Sequence, residues 1–156
     1  MSRVTPEQLV ARAEIADTLN AYSRGVDRRD IDLLADLFTA DATFDYGHGN
    51  VTQGRENLRG LFVAATGKYT ATSHHVSTIN YVRMDDGTAS TITYVYAFHD
   101  TGDAHFHVWG CYEDELVDDG DRWRIAARRV RPAGAKTTTT ETLPDRFERY
   151  PRPDPR

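Results

Sequence analysis

Apolar positions recur at helical spacing through the first part of the chain and at strand spacing through the rest. Ile15, Leu19, Tyr22 and Val26 follow one another at steps of four, three and four residues, one stripe of a helix. Thr5-Pro6-Glu7-Gln8 starts it: Thr5 caps, Pro6 suits the first helical position and Gln8 completes a capping box. Gly25 weakens the helix near its end. Asp30 is placed to cap a second helix whose buried face is Ile31, Leu34, Leu37 and Phe38. Thr43 to Tyr46 reads as a short strand, stopped by Gly47-His48-Gly49-Asn50. A third helix is expected over Arg55 to Ala65, with Leu58, Leu61, Phe62 and Ala65 on one side.

From Ser73 the pattern changes. Ser73 to Arg83 and Thr88 to His99 are rich in Val, Ile, Thr and Tyr and flank Asp85-Asp86-Gly87, a hairpin signal. Ala104 to Val117 and Arg122 to Arg131 repeat it around Asp118-Asp119-Gly120-Asp121. Helices first and strands later predict an α+β class, three N-terminal helices packed on one face of a curved antiparallel sheet. One domain over 1–135 is expected. The segment 136–156 is polar and Thr-rich, and ends in Pro-Arg-Pro-Asp-Pro-Arg. Leu143 to Tyr150 reads as a short docking segment, and the last six residues as a loose tail.

Composition narrows the function. The chain has 156 residues, enough for one ordinary domain. Its net charge of −5 argues against a nucleic-acid partner. Cys111 is the one cysteine, which excludes an internal disulfide, and it reads as a buried small hydrophobe. No apolar run approaches the ~20 residues that span a bilayer, and the N-terminus carries no signal-like run, so the cytoplasm is the expected compartment. A curved sheet leaves an outer apolar face to cover, so a homodimer or homotrimer is expected.

Several polar side chains interrupt this pattern. Asp27 follows Val26 at the end of the apolar helical stripe, and Tyr46 stands at the end of a strand. Asp27 has two readings, a cap for the second helix or a buried carboxylate that needs a partner. His74 and His75 are adjacent on one strand, so alternation sends one to each face. We take His74 as the inward one, sharing its face with Val76, Thr78, Asn80 and Val82. His105 and His107 form a His-x-His pair on one strand face; no Asp or Glu stands at a persuasive spacing, and no metal is expected. Arg128, Arg129 and Arg131 read as a solvated strand edge, or Arg131 or Arg129 reaches a substrate oxygen.

Three helices followed by a long antiparallel meander resemble the nuclear transport factor 2-like superfamily, and within it the SnoaL-like group and scytalone dehydratase-type enzymes. Val26-Asp27-Arg28-Arg29-Asp30-Ile31-Asp32, Phe44-Asp45-Tyr46, Ser73-His74-His75, Tyr96-Ala97-Phe98-His99 and Asp121-Arg122-Trp123-Arg124-Ile125 carry the resemblance. It implies a cone-shaped fold with an internal pocket over 1–135. It further implies that Asp27 orients His74 as general base, that Tyr46 polarises a substrate carbonyl, and that His99 is a second histidine. Tyr22 resembles the tyrosine of a tyrosine–aspartate pair in bile-acid dehydratase-like members. Phe44, His75, Val76, Trp109 and Arg131 complete the expected substrate contacts. Where scytalone dehydratase supplies Ser and Asn, this chain reads Val108-Trp109-Gly110-Cys111-Tyr112, a departure that argues for a different substrate.

The expectation is a cofactor-independent lyase or isomerase acting on an apolar cyclic or aromatic carbonyl compound. Its rivals within the fold are a non-catalytic ligand-binding or assembly subunit, and an epoxide hydrolase or cyclase using Asp114 and Arg131.

Overall fold

The structure, a computed structural model, describes residues 4–139. Thr5 starts the first helix, α1 (Pro6–Arg28): the Gln8 N–H donates to Thr5 Oγ1 and the Thr5 N–H to Gln8 Oε1, both halves of the expected box. Ile15, Leu19, Tyr22 and Val26 are all buried, as one stripe should be. Gly25 has a packing role. A Cβ there would lie 2.8 Å from the Leu34 side chain, so the missing side chain lets the second helix sit close. That helix, α2 (Ile31–Asp36), is capped by Asp30, whose Oδ1 accepts the Leu33 N–H at 3.0 Å.

Phe38, expected on the face of α2, instead opens strand β1 (Phe38–Asp45) and remains fully buried there. A short β2 (Val51–Gln53) folds back on β1, and α3 (Arg55–Gly67) follows. Four long strands complete the described residues: β3 (Ala71–Asp85), β4 (Thr88–Asp100), β5 (Ala104–Asp118) and β6 (Trp123–Thr139). They form the expected antiparallel meander in one six-stranded sheet ordered β2-β1-β6-β5-β4-β3. The sheet is mixed, because β1 runs parallel to β6, with Phe44 beside Arg128. Three helices pack on this curved, unclosed sheet, and Ile15, Leu19, Phe38, Leu58, Phe62 and Ile125 fill the space between.

Two irregularities bend the strands. In β3 the pairing skips a residue at Thr78, whose φ is +45°, and again at Val82. Each skip reverses which side chains face inward. Ile79, Tyr81 and Met84 therefore pack on the core, while Thr78, Asn80 and Val82 are exposed. The expectation that those three share the face of His74 fails for this reason. In β6 the strand runs past its expected end at Arg131: Gly110 pairs with Pro132 and Trp109 with Gly134, leaving Ala133 as the extra residue. A bulge is where a sheet tolerates proline. Gly110 is obligatory beside it, since a Cβ would fall 2.1 Å from the Arg131 carbonyl oxygen. Lys136 to Thr139 thus belong to β6, whereas the docking segment expected over 143–150 and the tail lie outside the described residues. No helix among the described residues is long and apolar enough to cross a membrane.

Candidate active site

A cavity of about 880 Å³ opens between the concave sheet face and the helices, within the range that holds small organic molecules. Tyr22 and Val26 of α1, Phe44 of β1, Phe62 of α3, and Val95 and Val108 of the sheet give it an apolar lining. Tyr46, Tyr69, Thr72, His74, His99 and Tyr112 supply polar groups. No Asp or Glu lines it among the described residues.

Asp27 stands just behind this wall. It follows the last buried position of α1 and does not cap α2, a task that Asp30 performs. Its Oδ1 lies 2.8 Å from His74 Nδ1 and accepts the Thr72 hydroxyl at 2.8 Å; its Oδ2 accepts the His74 backbone N–H at 3.0 Å. The carboxylate bond puts the Nδ1 proton on His74 and leaves Nε2 as the acceptor of the neutral ring. The His74 side chain is only 7% exposed, and it lines the cavity.

Burial pushes the Asp27 carboxyl up. The bond and charge of His74, the His74 backbone N–H and the Thr72 hydroxyl together outweigh it and hold the carboxyl below its ordinary 3.8. A carboxyl lowered by folding adds stability above the unfolded value, and that stability is lost as pH falls through the folded value. Melting temperatures measured between about pH 5 and pH 2 should fall, and an Asp27→Asn chain should show a shallower decline over the same range.

His99 lies on the inner face of β4, cross-strand from Thr72, with its ring 5.2 Å from that of His74 and at 89° to it. Its Nδ1 is 3.2 Å from the Phe106 carbonyl oxygen, which can only accept, so that nitrogen carries a proton. Tyr69 packs against the His99 ring at 4.5 Å.

A buried ion pair lies behind Tyr22 and Tyr112. Arg128 Nε and Nη2 donate to Asp114 Oδ1 and Oδ2 at 2.7 and 2.9 Å, and the two side chains are 1% and 0% exposed. The Arg128 guanidinium lies over the rings of both Tyr22 and Tyr112, 4.1 and 4.3 Å from their centroids. Burial raises the Tyr22, Tyr46 and Tyr112 phenols, and the charge of Arg128 only partly opposes it. These hydroxyls keep their protons and serve as donors. Tyr46 is 42% exposed overall, at the mouth, and stacks on Phe44.

The structure brings Tyr22, Phe44, Tyr46, His74, His99 and Arg131 to the cavity, with Asp27 bonded behind His74. Other expected residues are elsewhere. His75 alternates to the outer face, bonds Ser73 Oγ and stacks toward Tyr96. Trp109 is outward too, opposite Tyr96 and 41% exposed, lying over Gly134, where a Cβ would fall 2.7 Å from its ring. Val76 packs against the core and not the cavity. His105 and His107 face outward with Phe98, apart from His74 and His99 on the inner face, so the four form no common cluster. Arg131 pairs with Glu113 and Arg129 with Asp45, but Arg128 is buried, against the expected solvated edge. Asp114 thus bonds Arg128, not Arg131. Cys111 is half-buried at the cavity wall, and burial first, then Glu113, raises its thiol.

Thr72 and the Arg128–Asp114 pair were missed in the sequence. Thr72 was within reach, two residues before His74 and so on the same strand face. Arg128 and Asp114 become neighbours only through the β5–β6 register.

A family model for the SnoaL-like domain matches residues 7–129. The chain belongs to this family. This SnoaL-like chain also matches solved structures across nearly its whole fold. A candidate scytalone dehydratase from Novosphingobium aromaticivorans superposes with a TM-score of 0.79 at 23% identity, covering 90% of this chain and 97% of that one. A candidate aromatic ring hydroxylase from the same species gives 0.77 at 25% identity, covering 85% and 94%. A type 2 hexachlorocyclohexane dehydrochlorinase, LinA, gives 0.81 at 18% identity, covering 90% and 98%. A search of curated proteins returned no match. At these identities the likeness to solved structures shows the fold.

Proposed function

We propose that this SnoaL-like protein is a cofactor-independent lyase or isomerase that removes a proton from carbon in an apolar cyclic substrate. One observation carries the reading: His74, bonded through Nδ1 to Asp27, lines a mostly apolar cavity. Nε2 takes the proton from a C–H bond, and that electron pair becomes a double bond. As it forms, either the π pair of a neighbouring carbonyl moves onto its oxygen, or a group on the next carbon leaves with its bonding pair. Tyr22 and Tyr46 donate to the oxygen that gains charge. His99, when it carries a proton on Nε2, gives it to a departing hydroxyl, which leaves as water. Asp27 fixes the ring tautomer and offsets the charge that His74 acquires.

Two structural relatives bear on the choice of reaction. A dehydratase loses water and a dehydrochlorinase loses hydrogen chloride, and both pair proton removal with departure of a group from an adjacent carbon. The cavity volume and its open wall favour this reading over a filled, non-catalytic cone.

The test is turnover in D2O with a cyclic β-hydroxy ketone and a chlorinated cyclohexane as probes. The wild-type chain should exchange the acidic C–H for deuterium or release water or chloride. Binding of the probes without exchange or elimination would overturn the reading in favour of a ligand-capture module.

A further inference from the structure

Thr72 is an unremarked member of this site. It lies on the inner face of β3, two residues before His74, and lines the cavity. Its hydroxyl donates to Asp27 Oδ1 at 2.8 Å, and His74 Nδ1 reaches the same oxygen at 2.8 Å. Among the described residues Oδ2 takes the His74 backbone N–H alone, at 3.0 Å. One strand therefore supplies all three donors, and two of them share one oxygen.

Each hydrogen bond to a carboxylate draws on its charge and favours the ionised form. The charge that Oδ1 directs to Thr72 is not available to a protonated His74. The Thr72 bond also fixes the plane of the carboxylate, keeping Oδ1 in line with Nδ1. We infer that Thr72 is a positioning residue that sets the basicity of His74 by sharing Asp27 Oδ1 with it. For its part in catalysis this rests on His74 being the base.

Other groups near the pair do not do the same work. His99 faces His74 from β4, with Tyr69 stacked on it; Tyr22, Tyr46 and Lys68 lie along the cavity wall. Arg29, past the end of α1, donates to the Tyr69 carbonyl. None of these bonds Asp27, whose side-chain partners among the described residues are Thr72 and His74.

The test reads the His74 ring signals by NMR through a pH titration of the full chain, with His74→Gln used to assign them. In Thr72→Val the midpoint should move to higher pH by about half a unit, a threefold gain in proton affinity. Thr72→Ser, which keeps the donor, should titrate with the wild type. Thr72→Ala serves as a second removal of the hydroxyl if valine disturbs the strand, and should shift the same way. An unchanged or lowered midpoint in the hydroxyl-free chains overturns the inference. A merely structural role would change melting temperature without separating valine from serine in this titration. The measurement uses no substrate. An active His74→Ala chain would remove the base reading while leaving this result to stand or fall alone.

Discussion

A His74→Ala chain is expected to lose about 10²- to 10⁴-fold in turnover while keeping its fold, the range a positioned general base supplies. The substitution removes Nε2, the one acceptor that Asp27 orients toward the cavity. Asp27 is not stranded by it. The Thr72 hydroxyl still reaches Oδ1, and the residue 74 backbone N–H still reaches Oδ2. The space left adjoins an open cavity, so the lost ring leaves no sealed void. Melting temperature should therefore change little, and kcat should fall far more than KM rises. Imidazole added to the solution can enter the enlarged cavity and should restore part of the rate. A His74→Ala chain that turns over at the wild-type rate would remove His74 from the mechanism.

Asp114→Ala should have the largest effect on stability, about 3–5 kcal/mol, because it leaves the Arg128 charge buried without its partner. Arg128 is 1% exposed and has Nη1 without a hydrogen-bond acceptor among the described residues, so the two bonds to Asp114 are its direct compensation. The adjoining rings of Tyr22 and Tyr112 attract the cation, but they cannot replace a carboxylate. For a chain of this size such a loss lowers the melting temperature by about 10 °C or more. Urea unfolding would measure it. Replacing both residues, Asp114→Ala with Arg128→Met, should recover much of the loss, since it removes the stranded charge and puts an apolar side chain against the rings. If the double replacement were as unstable as the single one, the penalty would come from lost packing and not from the charge.

The helical half of the fold was legible because its signals are local. A capping box spans four neighbouring residues, and an amphipathic stripe repeats within one helix. Thr5, Gln8 and the Ile15–Val26 stripe therefore stand where the pattern puts them. The hairpins were legible for the same reason: Gly87 and Gly120 take positive φ in the turns that the sequence marks. Alternation put His74 and His75 on opposite faces, since no skip falls between residues 72 and 76.

Beyond the first skip in β3, alternation misleads. Thr78 adds one residue to the strand, and nothing in the local pattern announces it, so Asn80 and Val82 change faces. Trp109 is expected among the substrate contacts, yet side-chain parity puts it outside, over Gly134.

Residue type and local spacing determined the helices, the meander, the α+β class and the candidacy of Asp27, His74 and Tyr46. Tertiary structure decided what depends on pairing across many residues. It set β1 parallel to β6, drew Arg128 and Asp114 into one buried pair 14 residues apart, and turned Thr72 toward an aspartate 45 residues away. A hydrogen bond or a buried charge pair is a relation between positions. Strand register and helix docking bring those positions together, and the energy that fixes them is shared across the whole core rather than written in any one segment.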